Sequence, residues 1–149
     1  SKWGLGISAT RMVSFGEPSA EVRDRHAACC QVDACLNLET RPGAVIRDVF
    51  AKAVAVYAER GYPDEWRRHH QGGATGYAAR DYKGTLECDE VVLEGQAFAW
   101  NPSITGTKSE DTIIATADGP EFLSVSAPWP TLAVEYQGVT LQRMDILVR

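Results

Sequence analysis

The spacing of apolar residues changes from helical to alternating near residue 62, and that change limits the fold more than any other feature. Between about residues 18 and 60 the spacing is helical. A first helix is predicted over about 18–39, with Val22, Ala28, Cys29, Val32 and Cys35 or Leu36 on one face. Gly16-Glu17-Pro18-Ser19 reads as the turn into it, with Pro18 near the first turn. A second helix is predicted over about 44–60, where Ile46, Val49, Phe50, Ala53 and Tyr57 follow the i, i+3, i+4, i+7 rule. Arg41-Pro42-Gly43 joins the two into a hairpin, and Gly61 with Pro63 stops the second. The hairpin is expected to be a structural layer covering a sheet.

Downstream the period is two. Ala97–Trp100 is a short apolar run, and a strand is expected at Thr112–Thr116, with a turn at Ala117–Pro120 and a return strand over 121–124. Leu132–Tyr136 and Val139–Arg143, joined by Gln137-Gly138, read as a hairpin with a two-residue loop. Residues 3–15 are strand-like, Val91-Val92-Leu93 is a short apolar run, and Ile146-Leu147-Val148 is expected to add a last short strand. Helices followed by a long antiparallel section describe an α+β domain. One domain over residues 1–149 is expected, long enough to bury a core. No repeat, low-complexity tract or linker interrupts it.

A net charge of -5 argues against nucleic acid as a partner. No apolar run is long enough to span a bilayer, so no membrane partner is expected either. The start does not read as a secretion signal, and a cytoplasmic location is expected. Of the four cysteines, Cys29, Cys30 and Cys35 crowd the first helix, and the adjacent pair cannot face one way. With Cys88 they form no paired CxxC pattern, so small buried, reduced thiols are expected.

Two stretches carry chemically able side chains. One is His69-His70-Gln71-Gly72-Gly73-Ala74-Thr75-Gly76-Tyr77, continuing to Arg80-Asp81-Tyr82. Glycine there lets another backbone or a ligand come close, and histidine can ligate a metal or move a proton. The other runs from Trp100-Asn101-Pro102-Ser103-Ile104 through Lys108-Ser109-Glu110-Asp111-Thr112. If 69–70 is strand, the two histidines alternate faces. Lys108 and Asp111 are expected to alternate away from Glu110. Arg80 either anchors a substrate carboxylate through its guanidinium fork or closes an internal salt bridge. No phosphate loop and no Ser or Cys nucleophile motif is present.

The order of these stretches resembles the C-terminal catalytic domain of the creatinase and Xaa-Pro aminopeptidase (prolidase) family, the pita-bread fold. Thr10-Arg11, the Arg41-Pro42-Gly43 hairpin, His70-Gln71-Gly72-Gly73, Asn101-Pro102, Glu110-Asp111-Thr112 and Asp118-Gly119 carry the resemblance. It implies a helical hairpin packed on a curved, mainly antiparallel sheet. Metallopeptidases of that family hold two divalent ions with two Asp, one His and two Glu. Here His70 and Glu110 match, Ser8 stands at an Asp position, Asn101 stands at a Glu position, and the other Asp would lie upstream of residue 1. Two ligands of five imply no resident metal, with Mn, Zn or Co as the alternative. The implied function is a hydrolase with a degenerate metal site, cleaving a C–N bond in a small peptide or amidine substrate. His70 and Glu110 would be catalytic, and His69, Tyr77, Arg80 and Asn101 would bind substrate. The alternative is an inactive binding module of the same fold. The resemblance also implies an incomplete domain, expected to pair with the missing N-terminal part of the same protein and to self-associate as a homo-oligomer.

Overall fold

The computed structural model describes residue 4 and residues 6–149. After a short strand β1 (Val13–Ser14), helix α1 runs over Ala20–Glu39 and α2 over Ile46–Glu59. A 3-10 turn at Glu65–Arg67 leads to β2 (Gly72–Ala74) and β3 (Tyr82–Lys83), followed by β4 (Ala97–Trp100), β5 (Ser103–Ile104) and β6 (Thr107–Lys108). The strands β7 (Asp111–Thr116), β8 (Gly119–Phe122), β9 (Thr131–Tyr136), β10 (Val139–Met144) and β11 (Leu147–Val148) complete the order.

The main sheet is antiparallel in the order β3-β2-β4-β7-β8. Phe98, Trp100, Ile113 and Ala115 project from its inner face into one apolar cluster with Cys29, Val32 and Leu36 of α1 and Ile46, Val49, Phe50 and Ala53 of α2. Trp100 is wholly buried, and its indole N–H donates to the Thr40 hydroxyl at 2.8 Å. Thr40 in turn caps α1 by donating to the Leu36 carbonyl at 2.7 Å. Burying an indole without such a partner would leave its donor unsatisfied.

The two helices follow the sequence closely. Ser19 is the N-cap of α1, its hydroxyl accepting from the Val22 N–H, so Pro18 precedes the cap and lies outside the first turn. The expectation of a single buried face on α1 does not hold. The helix is enclosed on nearly all sides from His26 to Leu38, because the β9–β10 hairpin covers the side turned away from the sheet. Cys29 therefore joins the main cluster, and Cys30 joins a second one with Ala34 and Val134. Burial pushes the Cys30 thiol up to about 12 and the Cys35 thiol to about 11, as expected for inert core sulfurs.

Four further strand expectations shift. Only Val13–Ser14 of the 3–15 stretch is strand, pairing in parallel with β11, and Ile146 lies outside that last strand. Trp3 and Leu5 lie outside the described residues. The intervening chain is extended but tied by isolated bonds, Gly6 N–H to the Gly76 carbonyl, Ser8 to Thr112 and Thr10 to Glu110, so no continuous ladder forms. The return strand β8 starts at Gly119, two residues early, because Ala117-Asp118 alone make the turn. Val91-Val92-Leu93 makes one bridge, Val45 to Val91, where the chain crosses the hairpin loop instead of joining a sheet. The Gln137-Gly138 loop matches its expectation, both residues taking the positive φ that a two-residue hairpin requires.

Candidate functional site

Strand alternation sorts the side chains of β4 and β7 into two faces. Trp100 pairs with Asp111, and both point to the helices. Their neighbours Asn101 and Glu110 therefore turn to the opposite, outer face, together with Thr112. The N-terminal segment runs along that face. The Ser8 N–H donates to the Thr112 hydroxyl at 2.9 Å, and the Thr10 hydroxyl donates to Glu110 Oε2 at 2.6 Å. Ser8, Asn101 and Glu110, which the resemblance sets at ligand positions, thus lie on neighbouring segments.

Glu110 is buried and fully engaged. Besides Thr10, its Oε2 receives Lys108 Nζ at 3.1 Å, and its Oε1 receives an Arg80 guanidinium N–H at 3.4 Å. Burial pushes the Glu110 carboxyl up, but the Thr10 and Lys108 hydrogen bonds and the charges of Lys108 and Arg80 outweigh it and hold its pKa below the ordinary value. Lys108, two residues before Glu110, lies on the same side, contrary to the expectation that it alternates away. Arg80 makes an ion pair with Glu110. Its Nε is buried without a partner among the described residues, and so is Asn101 Oδ1.

Asp111 does alternate away, into a buried chain of charges that sequence reasoning missed. Arg143 joins Asp33 at 2.5 Å to Asp111 at 2.8 Å, and Arg11 reaches Asp111 from the other side at 2.7 Å. Burial pushes the Asp33 carboxyl up, opposed by Arg143 and the Ser109 hydroxyl. A detectable signal was present: Asp33 and Asn37, one turn apart, leave α1 with polar groups amid Val32, Ala34, Cys35 and Leu36.

The histidines precede β2 in a bend rather than in a strand, so they do not alternate. Their rings stack with centroids 4.5 Å apart. Gln71 fixes this bend: its amide N–H donates to the His69 and Trp66 carbonyls, and its Oε1 accepts from the Tyr57 hydroxyl of α2 at 2.6 Å. Both histidines line a cavity of about 370 Å³ with Phe50, Trp66, Lys83 and Thr85. Burial lowers the pKa of each, first through desolvation, then through Lys108 for His69 and through His69 for His70. His69 is half-buried and His70 exposed. His70 and Glu110 share no hydrogen bond among the described residues, and Tyr77 stands 82% exposed on the loop after β2. Among the described residues no group of three or more His, Cys, Asp or Glu could hold a metal ion, and no helix is long and apolar enough to cross a membrane.

Residues 3–117 match the family model described as metallopeptidase family M24. An uncharacterized peptidase of Staphylococcus aureus strain MW2 is 26% identical over 121 residues, which are 77% of this chain and 34% of the relative. The chain thus spans about a third of the length of the curated relatives it matches. Among solved structures, the Xaa-Pro dipeptidase from Bacillus anthracis aligns with a TM-score of 0.77 at 21% identity, covering 98% of this chain and 38% of its own. The N-terminal domain of the FACT complex subunit SPT16 from chickpea (Cicer arietinum) aligns with a TM-score of 0.67 at 15% identity, covering 80% of this chain and 32% of its own.

Proposed function

The chain belongs to metallopeptidase family M24 and has the pita-bread fold, and from that premise we propose that it serves metal-independent hydrolysis of a C–N bond in a small peptide or amidine substrate. The observation that supports this reading is the stacked His69–His70 pair lining a cavity, with the charges of Lys108, Glu110 and Arg80 acting on His69. Glu110, Asn101 and Ser8 do not fit a pair of divalent ions. The carboxylate already holds two side-chain cations, and an amide and a hydroxyl bring no charge to offset a metal. In the reaction, water adds to the carbonyl or amidine carbon and the C–N bond breaks. His70 takes the proton from water and returns it to the leaving nitrogen. His69, Arg80 and Asn101 orient the substrate, and Glu110 holds Arg80 and Lys108 in place. A single domain over 1–149, completed by further parts of the same protein and by self-association, belongs to the same proposal.

A second reading, a binding module without chemistry, is favoured by the separation of His70 from Glu110. Turnover of Xaa-Pro dipeptides and of creatine by chelator-treated protein separates the two. Hydrolysis that falls about a hundredfold or more in His70→Gln supports the first reading. Unchanged hydrolysis in that variant removes His70 from the reaction, and no hydrolysis of any substrate leaves the binding module.

A further inference from the structure

We propose that the chain binds an extended peptide segment of a partner protein as an added strand between β8 and β10. The groove that would take it shares no residue with the histidine cavity or the Glu110 cluster.

The main sheet ends at β8, and the β9–β10 hairpin forms a sheet of its own, so each leaves a strand edge open. The two edges flank one groove. Gly119 and Pro120 line one wall, Val139 and Leu141 the other, and Leu38 and Arg41 lie between them. The groove holds about 500 Å³, and a hollow of about 290 Å³ continues it to Tyr136. Both strands lie beyond residue 117, where the family match ends.

The register shows which backbone groups are on offer. The Gln137-Gly138 turn closes on the Tyr136–Val139 pair. In an antiparallel ladder bonded pairs alternate with unbonded ones, so Thr140 and Gln142 turn their N–H and C=O away from β9. On β8 the Leu123 N–H donates to the Thr112 carbonyl, so Phe122 and Pro120 face outward. Pro120 has no N–H to give and blunts that edge. The edge of β10 is therefore the one that pairs the incoming strand.

The charges fix the kind of segment. Arg41 is exposed, and its Nε donates to the Leu38 carbonyl at 2.9 Å, while the rest of its fork makes no ion pair among the described residues. Glu121, exposed on the β8 wall, makes none either. An extended segment meets both groups at once. One acidic side chain, flanked by apolar ones, turns inward to Arg41, Leu38 and Leu141, and its basic neighbours turn outward to Glu121. A free anion would satisfy Arg41 alone.

The test uses the fluorescein-labelled peptide Ac-Val-Lys-Asp-Lys-Val-NH2 with the whole chain, read by anisotropy and by amide hydrogen exchange. Binding is expected to slow exchange of the Thr140 and Gln142 N–H groups about tenfold or more. Thr140→Pro, which removes one edge donor, and N-methylation of the peptide backbone are each expected to weaken binding about tenfold or more. Arg41→Glu is expected to do the same, and a peptide with Lys in place of Asp to recover the loss in that variant; this exchange of charges holds should the proline variant fold poorly. No binding, binding indifferent to both Arg41→Glu and N-methylation, or unchanged exchange at Thr140 and Gln142 overturns the proposal. So does a dimer that Arg41→Glu dissociates in sedimentation, because a second copy then fills the groove.

Discussion

Gly72 is a place where two backbones come very close. It holds a φ of +101°, and a Cβ built on it would stand 2.2 Å from the Ala99 carbonyl oxygen. Gly106 has a similar φ of +91° but nothing within 4 Å. Comparing the two separates contact from conformation. Gly106→Ala is expected to cost about 1–2 kcal/mol, the penalty of a left-handed residue. Gly72→Ala adds a clash with backbone that cannot yield and is expected to cost more than about 4 kcal/mol, both read from urea unfolding. The glycine-rich stretch was legible as a place where something comes close. That the partner at Gly72 and Gly73 is neighbouring backbone, Ala99 and Tyr82, was not legible, since it depends on which strands flank β2. Lys108 was misplaced for a simpler reason: residues two apart in extended chain share a side.

The buried chain Asp33–Arg143–Asp111–Arg11 joins four elements: α1, β10, β7 and the N-terminal segment. Arg143 is 1% exposed, and removing it leaves two carboxylates in the core. Arg143→Met is expected to cost about 3–5 kcal/mol in equilibrium unfolding. Adding Asp33→Asn, which keeps the shape and removes a charge, is expected to recover part of that loss, so the two changes are not additive. Each helix and both long hairpins were legible, because the pattern that buries them is local. This chain was not, because Arg143 lies 110 and 32 residues from its two carboxylate partners, and only Asp33, polar amid the apolar residues of α1, signalled it. The outer-face cluster is partly of the same character: Lys108 beside Glu110 follows from local spacing, but that Arg80, on the loop between β2 and β3, reaches Glu110 depends on how the elements pack.

The whole molecule's stability carries a pH dependence set by its histidines. His26 is 2% exposed, and burial lowers its pKa from the ordinary 6.5, outweighing the Met144 carbonyl and Asp145. His69 and His70 shift the same way. As pH falls below 6.5, the unfolded chain takes up protons that the folded chain refuses, so stability present above that value is lost as pH falls through the lowered folded pKa. Urea unfolding from about pH 7.5 to 5.5 is expected to show this decline, and His26→Gln to flatten it. The enclosure of α1 was the largest departure from expectation at this scale, because its second cover is supplied from far along the chain. His26 meets Met144 across 118 residues, Asp33 meets Arg143 across 110, and Gln31 meets Glu135 across 104. A ribosome makes the helix early and its lid late. Throughout that interval Cys30 and Ala34 wait uncovered, and holding a nascent hydrophobic surface in check becomes as much a requirement on this sequence as packing it.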